Sequence, residues 1–105
     1  MGDQAAISPA LSSFVRRLRR RYRVERIILF GSRARGDALR DSDTDVVIVS
    51  PNFQTMDFTT RVAAVLDLWK GRTDLEPLCL TPEEFDRKRR AIGIVREAVR
   101  EGVEL

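Results

Sequence analysis

Three short stretches carry residue types whose spacing could do chemistry. In the first, the apolar run Ile27-Ile28-Leu29-Phe30 leads straight into Gly31-Ser32, followed by the helix-compatible Arg33-Ala34-Arg35. A strand that turns sharply there exposes backbone N–H groups to an anion. Glycine lets a phosphate come close, and the Ser32 hydroxyl adds a donor. Taken alone, Gly-Ser after a strand is more often an ordinary turn. The second stretch places Asp43 and Asp45 at the entry to the run Val46-Val47-Ile48-Val49. In extended chain, residues i and i+2 share a face with their Cα atoms about 6.6 Å apart, so both carboxylates can converge on one divalent cation or on two. A polar turn also explains an isolated Asp-x-Asp. That reading fits less well here, because aspartate is a weak strand former and two on one face repel unless something positive sits between them. In the third stretch Asp74 and Glu76 share a face as the chain enters Leu75 to Leu80. Either could complete a carboxylate triad, or either could pair with Arg26, Arg33 or Arg72.

Composition narrows the chemistry these residues can use. A chain of 105 residues, 43% hydrophobic, suits one domain with one modest core. There is no histidine and the single cysteine is Cys79, which removes the usual zinc sites, histidine-based triads and an internal disulfide. A bound metal is then expected to be a hard cation held by carboxylates. With no apolar run long enough to span a bilayer and no secretory h-region, a cytoplasmic protein with no membrane association is expected. The net charge of +3 hides an asymmetry: residues 1–36 carry nine arginines and two acids, residues 37–105 ten basic and fourteen acidic residues. The basic half could attract phosphates or RNA, or could be a solvated helix face; RNA is the weaker reading, since Phe14 and Tyr22 belong to the apolar stripe and leave no aromatic platform.

The elements that must position these residues follow from periodicity. Residues 1–7 read as a frayed leader, after which Ser8-Pro9 marks a helix start. Leu11, Phe14, Val15, Leu18 and Tyr22 form one apolar stripe, with arginines filling the other faces. Two short apolar strands follow, 27–30 and 45–49, the second β-branched throughout and central in its sheet. Val62, Val65, Leu66 and Trp69 predict a second helix ending near Gly71. Leu75 to Leu80 reads as a third strand, placed at an edge or at its start by Pro77. Thr81-Pro82-Glu83-Glu84 is a capping box opening a further helix through Phe85. Helical pattern resumes through Ile92, Val95, Ala98 and Val99, with a bend at Gly93 and a stop at Gly102. No internal repeat or linker interrupts the chain. An α/β (α+β) fold is expected, a small mixed β-sheet packed by helices, as one domain over residues 1–105.

The string LFGSRARGDALRDSDTDVVIV, residues 29–49, resembles the signature of the DNA polymerase β-like nucleotidyltransferase superfamily: Gly-Ser, a spacer of about ten residues, then Asp-x-Asp on a hydrophobic strand. The resemblance runs from the first helix to roughly Phe85. The length matches the stand-alone minimal nucleotidyltransferases (MNT), many of which are similar to antitoxins paired with a helical HEPN toxin. It implies that Gly31 and Ser32 grip the phosphates of a nucleoside triphosphate, that Arg33 and Arg35 sit at basic positions of the motif, and that Asp43 and Asp45 ligate magnesium in a two-metal site. Glu76, with Asp74 as competitor, would be the third catalytic and metal-binding carboxylate, where the family often has Asp. The implied reaction moves a nucleoside monophosphate, AMP from ATP, onto an acceptor hydroxyl and releases pyrophosphate. So small a chain leaves the acceptor surface to a HEPN-like protein partner or a homodimer. The alternative is a catalytically inactive nucleotide-binding or toxin-masking module.

Overall fold

The computed structural model describes residues 8–31 and 43–105. Helix α1 (Pro9–Arg21) begins where Ser8 caps it, the side-chain oxygen accepting from the Leu11 N–H at 3.1 Å. Such a cap contributes about 1 kcal/mol. Leu11, Phe14 and Leu18 are buried, and Arg19, Arg20 and Arg21 complement the carbonyl end. Strands β1 (Arg26–Phe30), β2 (Thr44–Val49), β3 (Leu75–Leu80) and β4 (Val103–Glu104) form one sheet in the order β3-β2-β1-β4. β1 runs antiparallel to β2 and to β4, and β2 parallel to β3, so the sheet is mixed. Helix α2 (Phe58–Leu66), preceded by a 3₁₀ turn over Pro51–Thr55, provides the crossover that a parallel pair requires. Helices α3 (Pro82–Arg90) and α4 (Ile94–Glu101) complete the chain.

Strand alternation sorts the core into two layers. Ile27, Leu29, Val46, Ile48, Leu75 and Cys79 pack with Leu11, Phe14 and Leu18 of α1 and Val65 of α2 on one face. Ile28, Val47, Val49 and Leu80 pack with Phe85 of α3 and Val95 and Ala98 of α4 on the other. Helices thus cover both faces, which is why β1 and β2 are apolar at nearly every position instead of alternating. By the same period of two, Asp43, Asp45 and Glu76 fall on the face that α3 and α4 cover. The capping box at Thr81 is complete: the Glu84 N–H donates to the Thr81 hydroxyl at 3.2 Å, and the Glu84 carboxylate accepts from the Thr81 N–H at 2.9 Å. Among the described residues no helix is long and apolar enough to cross a membrane.

Three expectations change. The predicted stripe of α2 is rotated: Val65 is buried, but Leu66 is 40% exposed and Arg61 takes the inward position. The helix also stops at Leu66, with Asp67 as its C-cap, well short of Gly71. The cause is the guanidinium of Arg61, which donates to the carbonyls of Phe53, Met56 and Cys79 and to Glu84, and so draws its face of the helix inward. Finally, Val103 and Glu104 add an edge strand beside β1 that two residues of sequence do not announce.

Candidate functional site

The site lies where β1 ends and β2 begins. The register sets Phe30 opposite Asp45 and Asp45 opposite Glu76, so a short row crosses three strands at one level of the sheet. Gly31 follows directly, with φ +76°, the left-handed conformation that other residues reach only at a cost. A Cβ placed there would stand 2.6 Å from Asp45 Oδ2, so the bend lies against the carboxylate itself. Thr44 is fixed by its N–H, which donates to the Asp74 carbonyl at 2.9 Å, and by a 3.2 Å hydrogen bond between its hydroxyl and that of Thr73. Asp43 and Asp45, flanking it, are thereby aimed at the same side.

The carboxylates affect one another. Burial raises the pKa of Asp45, the charge of Asp43 adds to the rise, and a hydrogen bond from Glu76 partly offsets it. Glu76 is also raised, first by its hydrogen bond with Asp43, then by the charges of Asp43 and Asp45. Three acids therefore meet within hydrogen-bonding reach, in the manner of like charges that cannot all ionise freely. Asp74 takes part through its backbone carbonyl, and its side chain is exposed.

A cleft of about 400 Å³ opens beside this row, lined by Phe30, Gly31, Asp45, Ile94, Glu97 and Glu101. The last three recur at i, i+3 and i+7, the stripe of α4 that faces the cleft. Nothing in the local sequence marks Glu97 and Glu101 as cleft residues; only the packing of α4 on the sheet brings them there. Of the residues expected at the site, Gly31, Asp43, Asp45 and Glu76 come together. Ser32, Arg33 and Arg35 lie outside the described residues.

Alanine in place of Gly31 is expected to lower stability by about 1–2 kcal/mol through the left-handed backbone alone. The added methyl group also pushes the Asp45 carboxylate out of its place. Thermal denaturation together with a transfer assay checks both consequences. A variant that melts and turns over like wild type would show that the close approach is dispensable.

The mixed sheet covered by helices on both faces is the fold of a nucleotidyltransferase domain. The chain belongs to the nucleotidyltransferase domain family, whose pattern matches residues 11–101, and within it to the minimal nucleotidyltransferases. It is similar to a Sulfolobus solfataricus crystal structure described as a nucleotidyltransferase, with 28% identity, a TM-score of 0.58, and coverage of 83% of this chain and 82% of that one. A Methanocaldococcus jannaschii protein that carries the name protein adenylyltransferase is 50% identical over 42 residues. That stretch is 38% of this chain and spans 42% of the relative.

Proposed function

We propose that the cleft transfers AMP from ATP to a hydroxyl on a protein acceptor in the cytoplasm, a HEPN-like partner being the kind of acceptor the family resemblance suggests. The observation that carries this reading is the Asp45 carboxylate against the Gly31 bend at the mouth of the cleft, with Asp43 and Glu76 close enough to act on it. In the reaction, the acceptor oxygen forms a bond to the α-phosphorus. The bond from that phosphorus to the bridging oxygen breaks, and pyrophosphate leaves with the bonding pair. The acceptor proton passes to a carboxylate, and Glu76, whose proton affinity is raised, suits that task. The N–H groups of the Gly31 bend, with Ser32, Arg33 and Arg35, would hold the triphosphate.

Among the described residues no three acidic or thiol side chains close on one point as a finished cation cage. Magnesium does not need one, since it is commonly held by one or two carboxylates together with substrate phosphates and water. Asp43 and Asp45, with Glu76 beside them, fit that pattern, and the raised proton affinity of Asp45 and Glu76 is what acids facing like charges should have. When bound, magnesium would supply charge neutralisation at the phosphates.

The test uses ATP radiolabelled at the α- or the γ-phosphate. Label from the α-position should appear on the acceptor and γ-label should leave as pyrophosphate. Transfer of the γ-label, or of neither, would overturn the assignment. Residue-resolved NMR under Mg²⁺-ATP titration should move the amides of Gly31, Asp43 and Asp45, and these shifts should vanish in an Asp43→Asn/Asp45→Asn variant.

A pH dependence follows. Because Asp45 and Glu76 bind protons more tightly folded than unfolded, their contribution to stability is full at acidic pH. It is lost as pH rises from the ordinary carboxylate range near 4 through the raised values. Without divalent cations, the melting temperature of wild type relative to Asp45→Asn should therefore fall as pH rises over that window. Added Mg²⁺ should recover the difference at neutral pH and not at acid pH. A flat difference across the range would remove the electrostatic account of the site.

A further inference from the structure

Between α3 and α4 the chain breaks over Ala91–Gly93 and leaves Ile92, 92% exposed, next to Ile94, 59% exposed. Both border a shallow groove of about 170 Å³, whose remaining lining is Lys88, Ala91, Gly93 and Val95. The one charged side chain lining the groove is Lys88, and its neighbours in sequence are basic. The last turn of α3 holds Arg87, Lys88, Arg89 and Arg90, while one acid, Asp86, pairs with Arg89 at 2.9 Å and with Arg90 at 3.2 Å. On the opposite wall α4 begins at Gly93 with no side-chain cap, so its first N–H groups present the positive end of the helix, while the one acid of its first turn, Glu97, lines the cleft and not the groove. The carbonyl end of α3 accounts for cations there, but not for two bare isoleucines beside an uncapped helix start. Ile94 also lines the catalytic cleft, so groove and cleft meet at one side chain.

We propose that this elbow seats the acceptor: a polypeptide segment presenting a large apolar side chain next to carboxylates, docked so that its hydroxyl reaches the cleft. The apolar side chain covers Ile92 and Ile94, and the carboxylates meet the α4 start and Lys88. A nucleic acid would satisfy the basic side chains and leave both isoleucines in water. The inference rests on the transfer reading for the hydroxyl, and on the groove alone for binding.

The test is fluorescence anisotropy with three labelled peptides of equal length, each carrying one tyrosine. The first has leucine flanked by glutamates, the second leucine flanked by lysines, the third alanine flanked by glutamates. The first should bind, at least about tenfold more tightly than either of the others, and should weaken with added salt. Ile92→Ser should lose about tenfold in affinity. Gly93→Asp supplies α4 with a cap at a position where a Cβ meets no atom within 4 Å. It should therefore melt no lower than wild type, yet lose the peptide, because its own carboxylate fills the seat. Equal binding of all three peptides, or undiminished binding by Gly93→Asp, would overturn the proposal. Asp45→Asn should bind the first peptide as wild type does. If the binding pattern holds but no AMP is transferred, the docking surface stands and the transfer reading falls.

Discussion

Asparagine in place of Asp45 is expected to cut nucleotidyl transfer about a thousandfold while the chain keeps its fold and melts no lower than wild type. The substitution preserves shape and removes one negative charge. It does so at the carboxylate that lies against the Gly31 bend and interacts with both Asp43 and Glu76. Loss of charge there should remove stabilisation of the transition state without removing packing, because the β2 side chains below it, Val47 and Val49, are untouched. Stability should hold or rise, since burial and a neighbouring like charge already disfavour ionised Asp45. Glu76→Gln should also be impaired, whereas Asp74→Asn should stay near wild type, because the register sets Glu76 and not Asp74 opposite Asp45. Single-turnover transfer from α-labelled ATP and thermal denaturation together decide the matter. An Asp45→Asn variant that unfolds would make the acid structural, and one that turns over at the wild-type rate would take it out of the reaction.

How much of this was legible beforehand depended on whether a feature is local. The period-two face shared by Asp43 and Asp45 is written in four consecutive residues with Thr44 and Val46, and the strand after them is apolar because both sides are covered. Glu76 could be preferred over Asp74 for sitting deeper in its strand, and the register then sets it opposite Asp45. Pro77 pointed to an edge, and β3 lies at one end of the sheet. Hydrogen bonds to β2 run from the carbonyls of Asp74 and Leu80. The odd-numbered residues between them, Pro77 included, turn their backbone outward, where a missing N–H costs nothing. The wall of Ile94, Glu97 and Glu101 was not legible, because in α4 the two glutamates read as the polar side of a helix whose packed stripe is Val95 and Ala98, and Ile94 stands apart from that stripe. Their position depends on where the helix is laid against the sheet.

The inward turn of Arg61 was hidden for a different reason: an arginine among valines and alanines reads as the solvated side of a helix, yet here it is the link between four segments. Replacing it with methionine, close in length but without charge, is expected to cost about 3–5 kcal/mol, a large fraction of the 5–15 kcal/mol typical of a domain. The loss has two parts. The buried carbonyls of Phe53 and Cys79 lose their donor, and Glu84, held 2.7 Å from the guanidinium, is left without its cation. Hydrogen bonding to Arg61 is the first cause of the lowered pKa of Glu84, so the pair contributes stability above the ordinary glutamate range and loses it as pH falls through the depressed value. The gap between wild type and Arg61→Met should accordingly narrow at acid pH by the ion-pair part, while the part due to the Phe53 and Cys79 carbonyls stays. The double variant Arg61→Met/Glu84→Gln should recover part of the loss, since removing both charges is cheaper than stranding one. Urea denaturation of the four proteins at neutral and acid pH measures the coupling. Additive losses would mean that the two side chains stabilise the fold independently. Because the Cys79 carbonyl that Arg61 holds belongs to the same strand as Glu76, a loosened Arg61→Met protein should also transfer more slowly at temperatures where it is still folded.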